Sequence, residues 1–170
     1  MCVTGHSGEQ KFADFVFKVE NEKIAAHRAI LAARSPVFDA MFQHDMLEKK
    51  TNETEIEDVT PAAFKALLQF IYTGYCKVGM LAEKILVAAN KYDIQDLKQI
   101  CAKELRKKLT VDNAVHLLIL SDLHQSEDLK DGAIWFINKN APAVMKTPSW
   151  SNFHKSHPNL LLELYSKLFD

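Results

Sequence analysis

Cysteine is scarce in this sequence, and the three present, Cys2, Cys76 and Cys101, are unevenly spaced with no CxxC pair. That arrangement suggests neither a disulfide framework nor a zinc site, and a reducing compartment, nucleus or cytoplasm, is expected. An excess of one charge is missing too: 21 basic and 22 acidic residues leave a formal net charge of -1. Such a balance gathers neither nucleic acid nor a membrane surface, so partners must be recognised by shape. Long apolar runs are absent, since stretches such as LLILSDL fall far short of the ~20 residues that a membrane span needs. Glycine occurs only five times, and no glycine-rich phosphate loop or GxSxG turn is formed. Seven histidines are scattered, and His154 and His157 have no acidic or cysteine partner nearby in sequence to complete a metal motif. No constellation of catalytic groups emerges, so neither an enzyme activity nor a cofactor is expected.

What is present is a core. At 170 residues and 48% hydrophobic content, the chain has room for one ordinary core, or for one core plus a helical extension. Residues 1–11 are polar, carry Gly5, Ser7 and Gly8, and read as a flexible tail. From residue 12 the pattern sharpens. Phe15, Phe17 and Val19 alternate with Asp14, Val16 and Lys18, the period of a strand; Asn21-Glu22 is the expected turn and Ile24 begins the return strand. AHRAILAARSP then runs at helical spacing to Pro36, which suits the first position of a second helix capped by Ser35. Thr54 to Ile56 offers a third strand. Thr60-Pro61 repeats the cap-plus-proline start for a helix whose stripe, Phe64, Leu67, Leu68 and Ile71, stops at Gly74. Met80 to Tyr92 and Ile94 to Lys108 give two more helices, broken at Tyr92-Asp93. The spacing predicts a helix from Thr110 through Leu120, another from Ser126 through Asn138, and a last one from His157-Pro158. The expected architecture is α+β: a small sheet with a cluster of helices over residues 12–109, followed by an all-helical extension over 110–170.

The segments AHRAILAARSPVF, FIYTG, AANKYDIQDLK and LILSDLHQSEDLK resemble the BTB (POZ) domain of the MATH-BTB family, and the resemblance covers nearly the whole chain. It implies a BTB/POZ fold followed by a 3-box helix pair and a truncated BACK region. It also implies a function: a homodimeric adaptor that brings substrates to a cullin-3 ubiquitin ligase. In that family a MATH domain ahead of the BTB domain holds the substrate. No such domain stands before Phe12, so the chain is expected to be the C-terminal part of a longer protein or to lack substrate recognition.

Candidate sites follow from both readings. Met46-Leu47-Glu48 should be surface exposed; an unbranched Met suits a shallow apolar pocket and a carboxylate two positions on fixes orientation. On residues alone an ordinary polar loop is the readier reading, because Met-x-Glu is common. Its place matches the φ-x-E motif with which the resembled domains contact the cullin-3 N-terminal domain, and the resemblance adds Phe42, Tyr92, Leu118 and Leu123 to that footprint. Val115, Leu118, Ile119, Leu123, Leu129 and Ile134 exceed what one helix-helix seam needs, so some are expected to line a peptide-binding groove and others to be core. Asp14 and Arg28 are expected to form a salt bridge, at a position that the resemblance places at the dimer pocket. Ile30 falls on an exposed turn and is the candidate for a two-fold dimer face. Tyr165 matches a tyrosine through which the family's BACK region self-associates; with Ile30 it would link dimers into chains. Each of the last two could instead be packing.

The basic run Lys103, Arg106, Lys107 and Lys108 lies at a helix C-terminus, where cations complement the dipole, and no aromatic platform interleaves with it. The rival to the adaptor is a BTB dimeriser that recruits a corepressor and never meets a cullin.

Overall fold

Strand β1 (Phe15–Val19) realises the expected alternation, with Phe15, Phe17 and Val19 buried. In the computed structural model, which describes residues 12–44 and 52–167, β1 pairs antiparallel with β2 (Glu22–Ala26), Phe17 opposite Ile24 and Val19 opposite Glu22. The turn is Glu20-Asn21, one residue ahead of the expected Asn21-Glu22. Glu20 takes φ 52°, the positive-φ geometry that a two-residue hairpin loop favours. Strand β3 (Glu53–Ile56) runs parallel to β1, Val16 opposite Glu53 and Val19 opposite Ile56, so the strand order is β2-β1-β3. A parallel pair needs a crossover, and helices α1 (Arg28–Arg34) and α2 (Pro36–His44) lie in it.

Ser35 joins these helices as expected: its Oγ accepts the Phe38 N–H at 3.1 Å and Pro36 opens α2. Helix α3 (Pro61–Thr73) starts and stops where the sequence places it. Gly74, at φ 72°, donates its N–H to the Phe70 carbonyl in a left-handed cap. The Thr60 side chain accepts nothing from the helix, so the start rests on Pro61 rather than on a hydroxyl cap. The single helix expected from Met80 instead begins as a 3-10 turn, Gly79–Leu81, before α4 (Ala82–Lys91). Asp93 breaks the chain at φ 53°, and α5 (Gln95–Lys107) follows.

The chain divides into two compact units between Leu97 and Lys98. The first has an aromatic core. Phe17 meets Phe15, Phe38 and Phe64 with ring centroids 5.0, 5.6 and 4.9 Å away, and Tyr92 stacks on Phe38 at 4.4 Å. Such pairs add about 0.5–1.5 kcal/mol each to their area burial.

The second unit is helical: α6 (Ala114–Leu123), α7 (Glu127–Lys139), α8 (Ala141–Val144), α9 (Pro148–Ser156) and α10 (Pro158–Ser166). Thr110 caps a turn rather than the helix itself. Its N–H donates to Asn113 Oδ1 at 2.8 Å while its hydroxyl accepts the Asn113 N–H at 3.3 Å, and α6 starts at Ala114. Helices α8 and α9 were not anticipated. Val115, Leu118, Ile134, Ile137, Phe153 and Leu160 lead the core of this unit. Lys130, buried beside it, donates to Asp122 at 2.9 Å and to Glu163 at 2.7 Å, which ties α7 to α6 and α10. Burial opposes its charge, yet the hydrogen bonds and charge of the two carboxylates prevail and raise its pKa to about 12. Within the basic run, Arg106 pairs with Asp128, and Lys107 and Lys108 with Glu104.

Candidate protein-interaction surfaces

At the end of α2 an aromatic ladder reaches the surface. Tyr92 is fully buried and stacks on Phe38; Phe38 stacks on half-buried Phe42 at 6.1 Å, and Phe42 meets Phe15 edge-on at 5.0 Å. The Arg28 guanidinium lies over this end of the ladder, 4.7 Å from the Phe15 centroid and 5.6 Å from that of Phe42, a cation–π arrangement. Its Nη2 donates to Asn52 Oδ1 at 2.9 Å. The expected Asp14–Arg28 salt bridge takes another form. Asp14 Oδ1 accepts the backbone N–H of Arg28 at 2.9 Å, so the carboxylate holds the start of α1 and leaves the guanidinium to the rings. A helix N-terminus presents unsatisfied N–H donors, and a carboxylate both accepts from them and suits the positive end of the helix dipole.

Burial corrects two expected contact residues. Tyr92 is a core residue at 0% exposure, and Leu118 is one too, also at 0%; neither side chain presents surface to a partner. Burial, and then the charge of Asp58, pushes the Tyr92 phenol above its ordinary pKa, so it stays neutral. Phe42, by contrast, keeps part of its ring accessible. Met46, Leu47 and Glu48 lie outside the described residues.

Helix α1 exposes Ala29, Ile30, Ala33 and Arg34. Ile30, 41% exposed, is thus an apolar side chain among small neighbours, a shape that a second helix approaches closely. A cavity of about 250 Å³ opens near the end of α1, lined by Arg34, Phe70, Ile71, Asp93, Ile94 and Asp96. Its lining combines apolar Phe70, Ile71 and Ile94 with charged residues of both signs.

Helix α6, AVHLLILSDL, is apolar almost all round, which ordinarily marks a helix buried on every side. It is not so buried. Val115, Leu117 and Leu118 face inward, Ile119 and Leu120 are half-buried, and Leu123 is 71% exposed. Of the groove residues expected from sequence, Val115, Leu118, Leu129 and Ile134 are core, and Ile119 and Leu123 remain at the surface. Leu120 belongs with them and was missed, although its i+3 spacing to Leu123 signals it. On α10, Tyr165 is 44% exposed, and Leu162, one turn earlier on the same side, more so.

Among the described residues no three His, Cys, Asp or Glu side chains gather as a metal site, and no helix is long and apolar enough to cross a membrane. His154 faces the Trp150 carbonyl, and His157 stacks on Phe153 at 5.8 Å.

A family model of the BTB/POZ domain matches residues 5–109. The chain belongs to the BTB/POZ family. Two mouse (Mus musculus) relatives extend the likeness of this BTB/POZ chain beyond that domain. TD and POZ domain-containing protein 5 is 44% identical over 153 residues, covering 88% of this chain and 45% of the relative. TD and POZ domain-containing protein 4 is 44% identical over 160 residues, covering 92% and 43%. The chain therefore spans less than half the length of these curated relatives. Among solved structures, the BTB domain of zebrafish PATZ1 matches with TM-score 0.51 and 28% identity, over 61% of this chain and 86% of that one. The BTB domain of human Gigaxonin shares the fold, with TM-score 0.51 and 23% identity over 57% and 80%. The α+β architecture read from the sequence is the BTB/POZ fold, and the surfaces above are those of a protein-interaction module.

Proposed function

We propose that this BTB/POZ chain is a homodimeric, substrate-adaptor subunit of a cullin-3 RING ubiquitin ligase of the MATH-BTB kind, acting in nucleus or cytoplasm. The observation that carries the reading is α6, an apolar helix whose outer edge is only partly covered, with Leu123 exposed and Ile119 and Leu120 half-buried. An exposed leucine at a helix end suits an apolar anchor in a groove-type contact. It belongs to the helix pair that the resemblance assigns to the cullin footprint, and the Met46-Leu47-Glu48 motif supplies the other anchor. Half-buried Phe42, stacked on Phe38 and overlain by Arg28, lies four positions ahead of that motif in sequence. Ile30 supports dimerisation. The adaptor contributes effective concentration: a substrate held by a linked module is brought to the ligase, and the dimer adds avidity.

The cavity beside Arg34 and Asp93 favours a second reading, a BTB dimeriser that takes a corepressor peptide there. Calorimetric titration of the cullin-3 N-terminal domain into the whole chain separates the two. Binding by the parent, lost at least ten-fold in folded Leu123→Asp and in Met46→Ala/Glu48→Ala, is the expected result for anchors of this kind. A folded parent that does not bind cullin-3 would overturn the adaptor reading.

A further inference from the structure

Helix α7 carries an exposed aromatic for which the adaptor reading has no use. Trp135 is 61% exposed, on the outer ridge of α7, where Asp131, Trp135 and Lys139 follow at four-residue spacing and are all exposed. The opposite face, with Leu129, Ala133, Ile134 and Ile137, is core. Solvated indole of this size is the residue type most enriched where protein surfaces anchor one another. Lys139 Nζ lies 4.7 Å from the Trp135 ring centroid, and Asp131 is ion-paired with Lys167 on the other side. The ridge thus reads acid, aromatic, base, with the indole midway.

That order is its own complement when reversed. A second copy of the ridge laid antiparallel across a two-fold axis at Trp135 places each Asp131 opposite the Lys139 of the other copy, while the two indoles meet on the axis. A parallel arrangement would set like charges together. Isologous contacts of this kind close into a pair, and helix ridges at about 8–10 Å interaxial distance leave room for the side chains involved. We infer that the outer ridge of α7 is a homotypic docking face whose occupant is a second copy of this chain, held by Trp135 against Trp135 and by Asp131 against Lys139. Ile30, Tyr165 and Leu123 take no part in it, so it stands apart from the adaptor reading.

The chain's tryptophan content makes the test direct. Its other tryptophan, Trp150, is buried, so concentration-dependent changes in indole emission report Trp135. With the full chain, rising concentration is expected to shift emission to the blue and reduce acrylamide quenching, in step with the mass seen by sedimentation. Asp131→Lys and Lys139→Asp are each expected to weaken that association by about ten-fold, and the double exchange to restore it, because the paired charges are then reversed on both copies. Emission that ignores concentration, with or without a rise in mass, overturns the α7 face, since association through Ile30 or Tyr165 leaves Trp135 in water. A double exchange no stronger than the single variants overturns it as well.

Discussion

The hydroxyl of Ser35 donates to the carbonyl oxygen of Tyr92 at 2.6 Å, across 57 positions of sequence, while it accepts the N–H of Phe38 at 3.1 Å. One buried group thus satisfies both the first turn of α2 and the cap of α4, and it fixes the helix that carries Phe42 against the one that Tyr92 caps. Ser35→Ala strands both partners away from water and is expected to cost about 1–3 kcal/mol. Urea unfolding of the two proteins measures it, and a loss within experimental error would mean that the partners find other bonds.

Tyr92 holds its place by its ring. The hydroxyl is buried and has no hydrogen-bond partner among the described residues, whereas the ring stacks on Phe38 and meets Phe64 edge-on. Tyr92→Phe is therefore expected to be neutral or to stabilise by up to about 1 kcal/mol, and Tyr92→Ala to cost roughly 3–5 kcal/mol. Thermal unfolding checks both. A Tyr92→Phe chain clearly less stable than the parent would show that the hydroxyl is engaged.

Much of this was legible in the sequence because local rules coincide with the tertiary fold. Period-two alternation gave β1, Ser35-Pro36 and Thr60-Pro61 gave two helix starts, and Gly74 gave a stop. The same signature at Thr147-Pro148 marks α9, where Thr147 Oγ1 accepts the Trp150 N–H, and it is absent from the expected helix starts. Burial was harder to read. On α6 nearly every residue is apolar, so periodicity does not separate Leu118, which is core, from Leu123, which is exposed; only packing decides that. Asp14 and Arg28 were correctly brought together, but sequence does not reveal that a backbone N–H and two phenylalanine rings compete for them.

His124 links stability to acid. Burial, and secondarily the charge of Lys98, lowers its pKa below the ordinary imidazole value. The folded state therefore binds this proton less readily than the unfolded chain, and stability is expected to fall as pH drops through the ordinary histidine pKa toward the lower folded value. His124→Gln should flatten that part of the stability profile, measured by urea midpoints across mildly acidic pH. An unchanged slope would assign the acid sensitivity to other groups.

Lys130 should be the most sensitive polar residue of the helical unit. Its ammonium is held by Asp122 from α6 and Glu163 from α10, with its own side chain 10% exposed and those of the carboxylates 48% and 34% exposed. Lys130→Met keeps most of the apolar stem but leaves two carboxylates facing each other. Complete burial of an unpaired charge costs about 3–5 kcal/mol, and partial exposure here reduces the expected loss to roughly 1–3 kcal/mol. The pH dependence has a definite sign. Because the folded pKa, about 12, lies above the ordinary lysine value, the contribution is complete below that ordinary value and disappears as pH rises through about 12. Asp122→Asn together with Glu163→Gln should remove this alkaline step while leaving Lys130 in place, and hydrogen exchange of α10 should quicken in Lys130→Met. If α10 exchanges at the parental rate in that variant, the triad does not hold the helix.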